Sequence, residues 1–562
     1  MKHLLLLILF PLFAFGQNPY PQDYFQNPLD IPLVLGGSFA ELRSNHFHSG
    51  LDIKTQRKEG LNVLAAAEGY VSRIKVAHFG YGKALYITHP NGYTTVYAHL
   101  KKFSPKIEAY IKQCQYEKES FEVEMFPAVD EMTVTKGEIV AFSGNTGSSG
   151  GPHLHYEIRD NAERPINPML FGIDIKDTKA PTLRSVYAYP KDKNSFINGE
   201  NKRVKLRLIP KTNGDFDIEK VTAIGDIGFG IEAIDQMDLA PNKNGLDNIQ
   251  TFFNGNKKLE VSFKRFSFDE TKHLNRFIDF EYYKTKKQRI QKLFVESNNP
   301  LSLFKDVKDE GFIKVEDSTA SVFKIEMKDF QNNTRTISIP IEGVLQDSIP
   351  SDSTDYSKLT HLPETETTTF EGNKASATFY QNTFYEDQFL DFQYSGDTLK
   401  LHEDKVPLLK NFVLNYDISK YRGEDKNRLF IAKLYGYYKR PSYVGTVRKG
   451  DTLTARTKNL GWFTLATDTI APTIKPVNFQ DKKWLSKYRY LKVKIDDDLA
   501  GISNFRATVN GKWILMEYDY KTNLLVHDFN DGVVTETENN LKIIVTDNVG
   551  NSSTFEATFF RK

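Results

Sequence analysis

The chain has 562 residues, room for about four domains of ~150 residues each. Its 74 Lys and Arg against 72 Asp and Glu leave a net charge of +2, which excludes a whole-chain binder of polyanions or polycations. One cysteine, Cys114, excludes a disulfide framework, a Cys-based zinc site and a CxxC redox pair, while 13% aromatic residues lean towards β-rich structure.

In chain order, Lys2 precedes an apolar run from Leu4 to Phe15, and Ala14 and Gly16 supply small residues at the −3 and −1 positions of a cleavage site. Residues 1–16 therefore read as a secretory signal peptide cut before Gln17. The run is too short to span a bilayer, which takes about 20 apolar residues. No later window approaches that length, so the mature chain is expected to lack a transmembrane helix and to work in the periplasm, at the cell surface or as a secreted protein. Residues 17–35 are rich in Pro, Asn and Gln, and a side chain such as Asn27 or Asp30 could reach into a site and inhibit it.

Seven of the 12 histidines fall between Asn45 and Tyr156. His48-Ser49-Gly50-Leu51-Asp52 sets an imidazole and a carboxylate four residues apart. Pro152-His153-Leu154-His155-Tyr156-Glu157-Ile158 alternates as a strand does, which turns His153, His155 and Glu157 to one face and Leu154, Tyr156 and Ile158 to a core. A histidine pair of this kind either binds a metal and its water or makes structural hydrogen bonds. Catalytic zinc usually takes three protein ligands and one open position, and His48, Asp52 and one of His153 or His155 supply that number.

Between these motifs, Lys83–Thr88 and Tyr93–Tyr97 read as strands. Ser104-Pro105 reads as a helix start, with Ile107, Ile111 and a buried Cys114 following at helical spacing. Four glycines between Gly144 and Gly151 lack the Lys-Ser/Thr ending of a phosphate loop and read as a tight turn walling a groove. His46 and His78 read as loop residues and His89 as structural. Glu157 reads either as a partner of a ligand imidazole or as a solvated carboxylate.

Further on, Asp177-Thr178-Lys179-Ala180-Pro181-Thr182 recurs as Asp468-Thr469-Ile470-Ala471-Pro472-Thr473. Each copy leads into alternating segments, an Asp/Gly cluster (Asp226–Ile231 and Asp498–Ile502) and an Asn-Gly hairpin turn (Asn254-Gly255 and Asn510-Gly511). The repeat predicts two β-sandwich modules, at 177–345 and 468–562. Residues 346–467 read as a Ser/Asp/Thr/Pro-rich linker followed by a third β domain. The basic run Lys284–Arg289 reads as solvated surface, and no nucleic-acid partner is expected.

His48-x-x-x-Asp52, Tyr97-Ala98-His99-Leu100, Ser143-Gly144-Asn145-Thr146-Gly147 and Gly151-Pro152-His153-Leu154-His155-Tyr156-Glu157 stand in an order that resembles the LytM/lysostaphin-type zinc metallopeptidases, which cut peptide bonds in peptidoglycan. The resemblance covers residues 36–170, and the repeated modules resemble bacterial immunoglobulin-like surface modules. It implies one zinc per chain held by His48, Asp52 and His155, with His153 as general base on the zinc-bound water. It implies that His99 orients that water or stabilises the oxyanion. The connection at about 101–134 is longer than the family's usual one and could wall one side of the groove.

The expectation is thus a mainly β protein: an antiparallel β zinc-peptidase domain at 17–176, then two or three immunoglobulin-like β modules. Its function would be that of an exported zinc metalloendopeptidase acting on peptidoglycan stems or cross-bridges, with a possible envelope partner for the C-terminal modules. The alternatives are a non-catalytic envelope protein that activates other wall hydrolases, and a zinc protease acting on exported proteins.

Overall fold

The computed structural model describes residues 19–346 and 355–562, so the signal-peptide expectation at 1–16 and the first part of the linker fall outside the described residues. The described chain is mainly β.

The N-terminal part builds two antiparallel sheets from β1 (Leu35–Gly37), β2 (Leu51–Lys54), β3 (Asn62–Leu64), β4 (Gly69–Val76), β5 (Lys83–Thr88), β6 (Thr94–Ala98) and β7 (Lys102–Phe103). Helix α1 (Pro105–Lys118) follows, then β8 (Val123–Met125), β9 (Thr133–Val134), β10 (Ile139–Phe142), β11 (His153–Arg159) and β12 (Pro165–Ile166). The larger sheet runs β1-β2-β11-β6-β5-β4-β8, with β9 and β12 at its margins, and β3-β10-β7 form the smaller one.

Strand alternation sorts the side chains of the central strands. Leu154, Tyr156 and Ile158 of β11 join Leu85, Ile87 and Tyr97 in a core closed by Val63, Phe103 and Val140 of the smaller sheet. The Ala66 N–H donates to the buried Tyr97 hydroxyl at 2.8 Å, so the phenol spans the two sheets without an unsatisfied polar group. The opposite face of the larger sheet carries His155 and Glu157, in register with Ala98 and Val96 of β6.

Helix α1 starts where the sequence places it, with Ser104 at the N-cap and Pro105 in the first turn. Ile107, Ile111 and Cys114 are its buried stripe. The segment before β1 packs onto the smaller sheet: Phe25 and Leu29 enter the core, and the Gln26 N–H donates to the Ala66 carbonyl. Asn27 and Asp30 are exposed, and no hydrogen bond joins the described part of this segment to the histidine cluster.

A 13-stranded sheet follows, arranged about the 14-residue strand Val221–Ile234. Both Asn-Gly pairs form hairpin turns with φ positive at each residue: 47° and 81° at Asn254-Gly255, 50° and 79° at Asn510-Gly511. The apolar core runs without a break from the N-terminal sheets into this one. Phe266 is the joint, its ring centroid 5.2 Å from Phe39 and 5.6 Å from Phe47. Two separate cores follow. One lies between two five-stranded sheets and contains Phe379, Phe412 and Phe463; the other, behind Asp468, contains Val493, Ile543 and Phe559.

Phe266→Ala is expected to cost about 3–5 kcal/mol, the usual loss for a buried aromatic. Amide hydrogen exchange should show protection falling in parallel in strands 35–166 and 182–343. A loss confined to one side would contradict a shared core.

Candidate metal centre

Strand register builds the site. β2 and β11 pair so that Asp52 lies opposite His155, and opposed residues of an antiparallel pair share a face with their Cβ atoms about 5 Å apart. The loop before β2 brings His48 to the same place. Gly50 makes this approach possible, because a Cβ there would stand 2.3 Å from the Tyr156 carbonyl oxygen. His48 Nε2, Asp52 Oδ1 and His155 Nδ1 converge, separated pairwise by 2.9, 2.9 and 3.0 Å.

The outer atoms of these side chains define their chemistry. His48 Nδ1 faces the Ser38 carbonyl at 2.7 Å, which can only accept, so Nδ1 carries the proton and Nε2 keeps a lone pair. His155 Nε2 lies 2.7 Å from Glu157 Oε1, which fixes its proton there and frees Nδ1. Arg43 donates to Asp52 Oδ2 at 2.7 Å. Three electron pairs therefore point at one spot, an arrangement that requires a cation or a proton between them. In the bare protein the proton goes to His155: burial opposes its charge, but hydrogen bonds to Asp52 and Glu157 outweigh that and push its pKa up to about 9. Burial would likewise raise Asp52, yet the surrounding imidazoles of His48, His153 and His155 hold it well below the usual carboxylate range. Burial lowers the pKa of His48, which keeps that imidazole neutral and available as a ligand. Two imidazole nitrogens and one carboxylate oxygen are a donor set that fits zinc.

His153 and His99 stand beside this trio. His153 Nδ1 donates to the Gly151 carbonyl at 2.8 Å, and its Nε2 lies 3.3 Å from Asp52 Oδ1. His99 follows β6 at a left-handed φ of 58°, which breaks the strand alternation and brings its ring 4.7 Å from that of His153. Its Nδ1 donates to the Thr146 carbonyl at 2.8 Å. Burial, then the neighbouring His155 and His153, push its pKa down to about 3, so His99 is neutral over the working range. All five singled-out side chains thus meet in one place. His89 lies elsewhere, bonded to the Glu68 carbonyl and to Thr95, and His46 is exposed.

Glu157 resolves into a buried partner of a ligand imidazole. Arg159 and Ser49 bind its carboxylate at 2.6 Å each, and the Tyr81 hydroxyl donates to it as well. Burial alone would raise the Glu157 carboxyl; Arg159 and His155 more than offset this and hold it far below the usual range. Arg43, Tyr81, Arg159 and the Ser38 carbonyl are members of the site that motif reading missed. Only Tyr81 carried a signal, the flanking glycines of Gly80-Tyr81-Gly82.

Two later modules touch the site's supports. From the 13-stranded sheet, the Gly245 N–H donates to Ser38 Oγ at 2.9 Å and the Thr271 hydroxyl accepts the Phe47 N–H at 2.8 Å, on either side of the His48 loop. The C-terminal module lies along the glycine-rich loop. Lys521 donates to the Asn145 carbonyl, and the Tyr520 ring packs 4.6 Å from Phe79. Glu517 binds the buried Lys83 at 2.9 Å, and Asp531 binds Lys112 and Tyr116 of α1. The long connection at 101–134 is therefore a seat for the C-terminal module.

Residues 46–116 and 123–168 match peptidase family M23. Over these residues the chain is similar to the M23 peptidases. Residues 359–468 match a Zu5-like domain, which accounts for the β structure expected after the linker. The DD-carboxypeptidase/endopeptidase Mpg of Neisseria meningitidis serogroup B is 33% identical over 180 residues, 31% of this chain and 33% of that protein. An uncharacterized metalloprotease of Haemophilus influenzae is 36% identical over 122 residues, 22% of this chain and 20% of that protein. The chain thus spans a third or less of the length of these relatives. The solved catalytic domain of lysostaphin from Staphylococcus simulans aligns at 21% identity and a TM-score of 0.18, covering 24% of this chain and 90% of that one. That of the M23 protein EnpA from Enterococcus faecalis aligns at 22% and 0.19, covering 27% and 97%.

Glu157→Gln leaves the buried Arg159 with only the exposed Glu163 carboxylate at 3.0 Å as a charge partner, and loosens His155. It is expected to lower zinc affinity by about 10–100-fold in chelator competition and stability by about 3–5 kcal/mol at neutral pH. The folded carboxyl titrates below its unfolded value of about 4.3, so this contribution is complete above that pH and fades as the pH falls further. Acid titrations of wild type and variant should therefore converge.

Proposed function

We propose that the protein is an exported zinc metalloendopeptidase that hydrolyses peptide bonds in peptidoglycan stems or cross-bridges. The observation that carries this reading is the convergence of three lone-pair donors, His48 Nε2, Asp52 Oδ1 and His155 Nδ1, beside two further imidazoles that are not in the donor set. Match to the M23 family and the named activity of the Neisseria relatives support peptide cross-links of the wall as substrate. The apolar leader in the sequence supports export, and no helix among the described residues is long and apolar enough to cross a membrane.

Zinc held at this site would polarise a substrate carbonyl and acidify a water. The protein's own groups do the rest. With Nδ1 committed to Gly151, His153 offers Nε2 as the base that takes the water's proton. His99 is neutral with Nδ1 committed to Thr146, and its ring edge orients that water or meets the charge developing on the carbonyl oxygen. Glu157 and Ser38 hold the two ligand imidazoles in the tautomers that zinc requires. The modules beyond residue 177 are the surfaces through which an envelope partner would bind.

The test is zinc content together with digestion of purified sacculi, on the mature chain and on His153→Ala. One zinc per chain and released muropeptides are expected for the wild type. In the variant, retained zinc with release reduced by at least about 100-fold is the expected outcome. Zinc binding with cleavage of casein but not of sacculi would point to exported protein as substrate. An absence of zinc would favour a non-catalytic envelope role.

A further inference from the structure

The repeated Asp-Thr-x-Ala-Pro phrase does more than open two modules. Asp177, Asp235 and Asp329 are all buried and place one carboxylate oxygen each within 4.8 Å of the others. They come from three separate stretches of chain: the repeat phrase, the end of strand Val221–Ile234, and the turn after strand Ala320–Lys328. The C-terminal module repeats the grouping with Asp468, Asp497 and Asp547. The supporting bonds repeat as well. Asn333 Nδ2 joins Asp329 to the Asp177 carbonyl, and Asn551 Nδ2 joins Asp547 to the Asp468 carbonyl. The counterpart of Asp497 is Asp235, nine residues beyond the Asp226 cluster that sequence similarity picks out.

Each copy leaves one carboxylate oxygen without a partner, Asp235 Oδ1 and Asp497 Oδ1, but the second copy carries more backbone donors and the first an unpartnered amide. Asp468 and Asp497 accept the Ala500 and Gly501 N–H groups. Asp235 is 1% exposed, and its Oδ1 has no hydrogen-bond partner. Asn244 is 2% exposed, and both polar atoms of its side chain lack partners. Asp235 and Asn244 exchange backbone hydrogen bonds of 3.0 and 2.8 Å across an antiparallel bridge. Such a pair puts both side chains on one face about 5.5 Å apart at Cα, so the unpartnered amide stands beside the unpartnered carboxylate. The nearby ammonium of Lys179 goes to the Met237 and Asp238 carbonyls and forms no ion pair with the cluster.

We propose that Asp177, Asp235 and Asp329, with the Asn244 side-chain oxygen, form a binding site for a hard divalent cation, calcium, within the module that follows the peptidase domain. All donors are oxygens, which selects against zinc. Calcium takes six to eight oxygen ligands in a flexible geometry, which three carboxylates and an amide oxygen begin to supply, whereas magnesium demands a near-ideal octahedron and keeps several waters. A calcium ion neutralises the three carboxylates and ties together the start, middle and end of the module. It also stiffens the stretch 235–245, which reaches Ser38 and Gly36 beside the metal-ligand loop.

The test uses the full mature chain, loaded with zinc and stripped of calcium, titrated with CaCl2 or MgCl2 in calorimetry and thermal unfolding. For the wild type, about 10 mM calcium is expected to raise the melting temperature by about 5 °C or more, with magnesium much less effective. Asp235→Asn relieves the repulsion, so this variant should fold without calcium at least as stably as the wild type. It should bind one calcium fewer per chain and lose most of the thermal shift. An absence of calcium binding in the wild type would overturn the proposal in favour of a proton shared between Asp235 and Asp177. Calcium binding with unchanged stoichiometry in Asp235→Asn would overturn it in favour of another site.

Discussion

In the register between β2 and β11, Asp52 stands opposite His155, and the rest of the N-terminal domain is arranged around that pairing. A shift of one residue would send His155 into the core and Tyr156 to the surface. Packing forbids the shift, because Leu154, Tyr156 and Ile158 fill space between two sheets. The hydrophobic core thus sets the position of a polar site it does not touch. The remaining freedom lies in ring rotation, and each imidazole has one nitrogen anchored: His48 to Ser38, His155 to Glu157, His153 to Gly151 and His99 to Thr146.

The sequence made the inner atoms of the site legible and left the outer ones hidden, for a physical reason. His153 and His155 share a face by strand period, and His48 is tied to Asp52 by a stretch of only four residues that a loop folds back. Arg43 reaching Asp52, or Arg159 gripping Glu157 from the next position on the same face, depends on long side chains whose direction only packing decides. Glu157 illustrates the limit: the alternation placed it beside His155, but whether it was solvated turned on Arg159, Tyr81 and Ser49 closing over it. The Asn-Gly hairpins and helix α1 were legible because their signals are local. The shared core was not, since Phe266 meets Phe39 and Phe47 across more than two hundred residues of chain.

That shared core changes what the second module is. It is no detachable spacer, for it contributes the hydroxyl of Thr271 and the N–H of Gly245 to the two ends of the loop carrying His48. A ligand on a loop is normally the least constrained member of a metal site. Here the loop is clamped from outside, so the rigidity of the centre is a property of two modules together.

The contact between the C-terminal module and the glycine-rich loop joins residues more than 370 positions apart, as Lys521 does with Asn145. Seen along the time axis of biosynthesis, those partners belong to different epochs. The candidate ligands His48, Asp52 and His155 are made more than 350 residues before Glu517, Tyr520 and Lys521. The outer wall of the groove is therefore complete only once the module that begins at Asp468 has folded onto helix α1 and the glycine-rich loop.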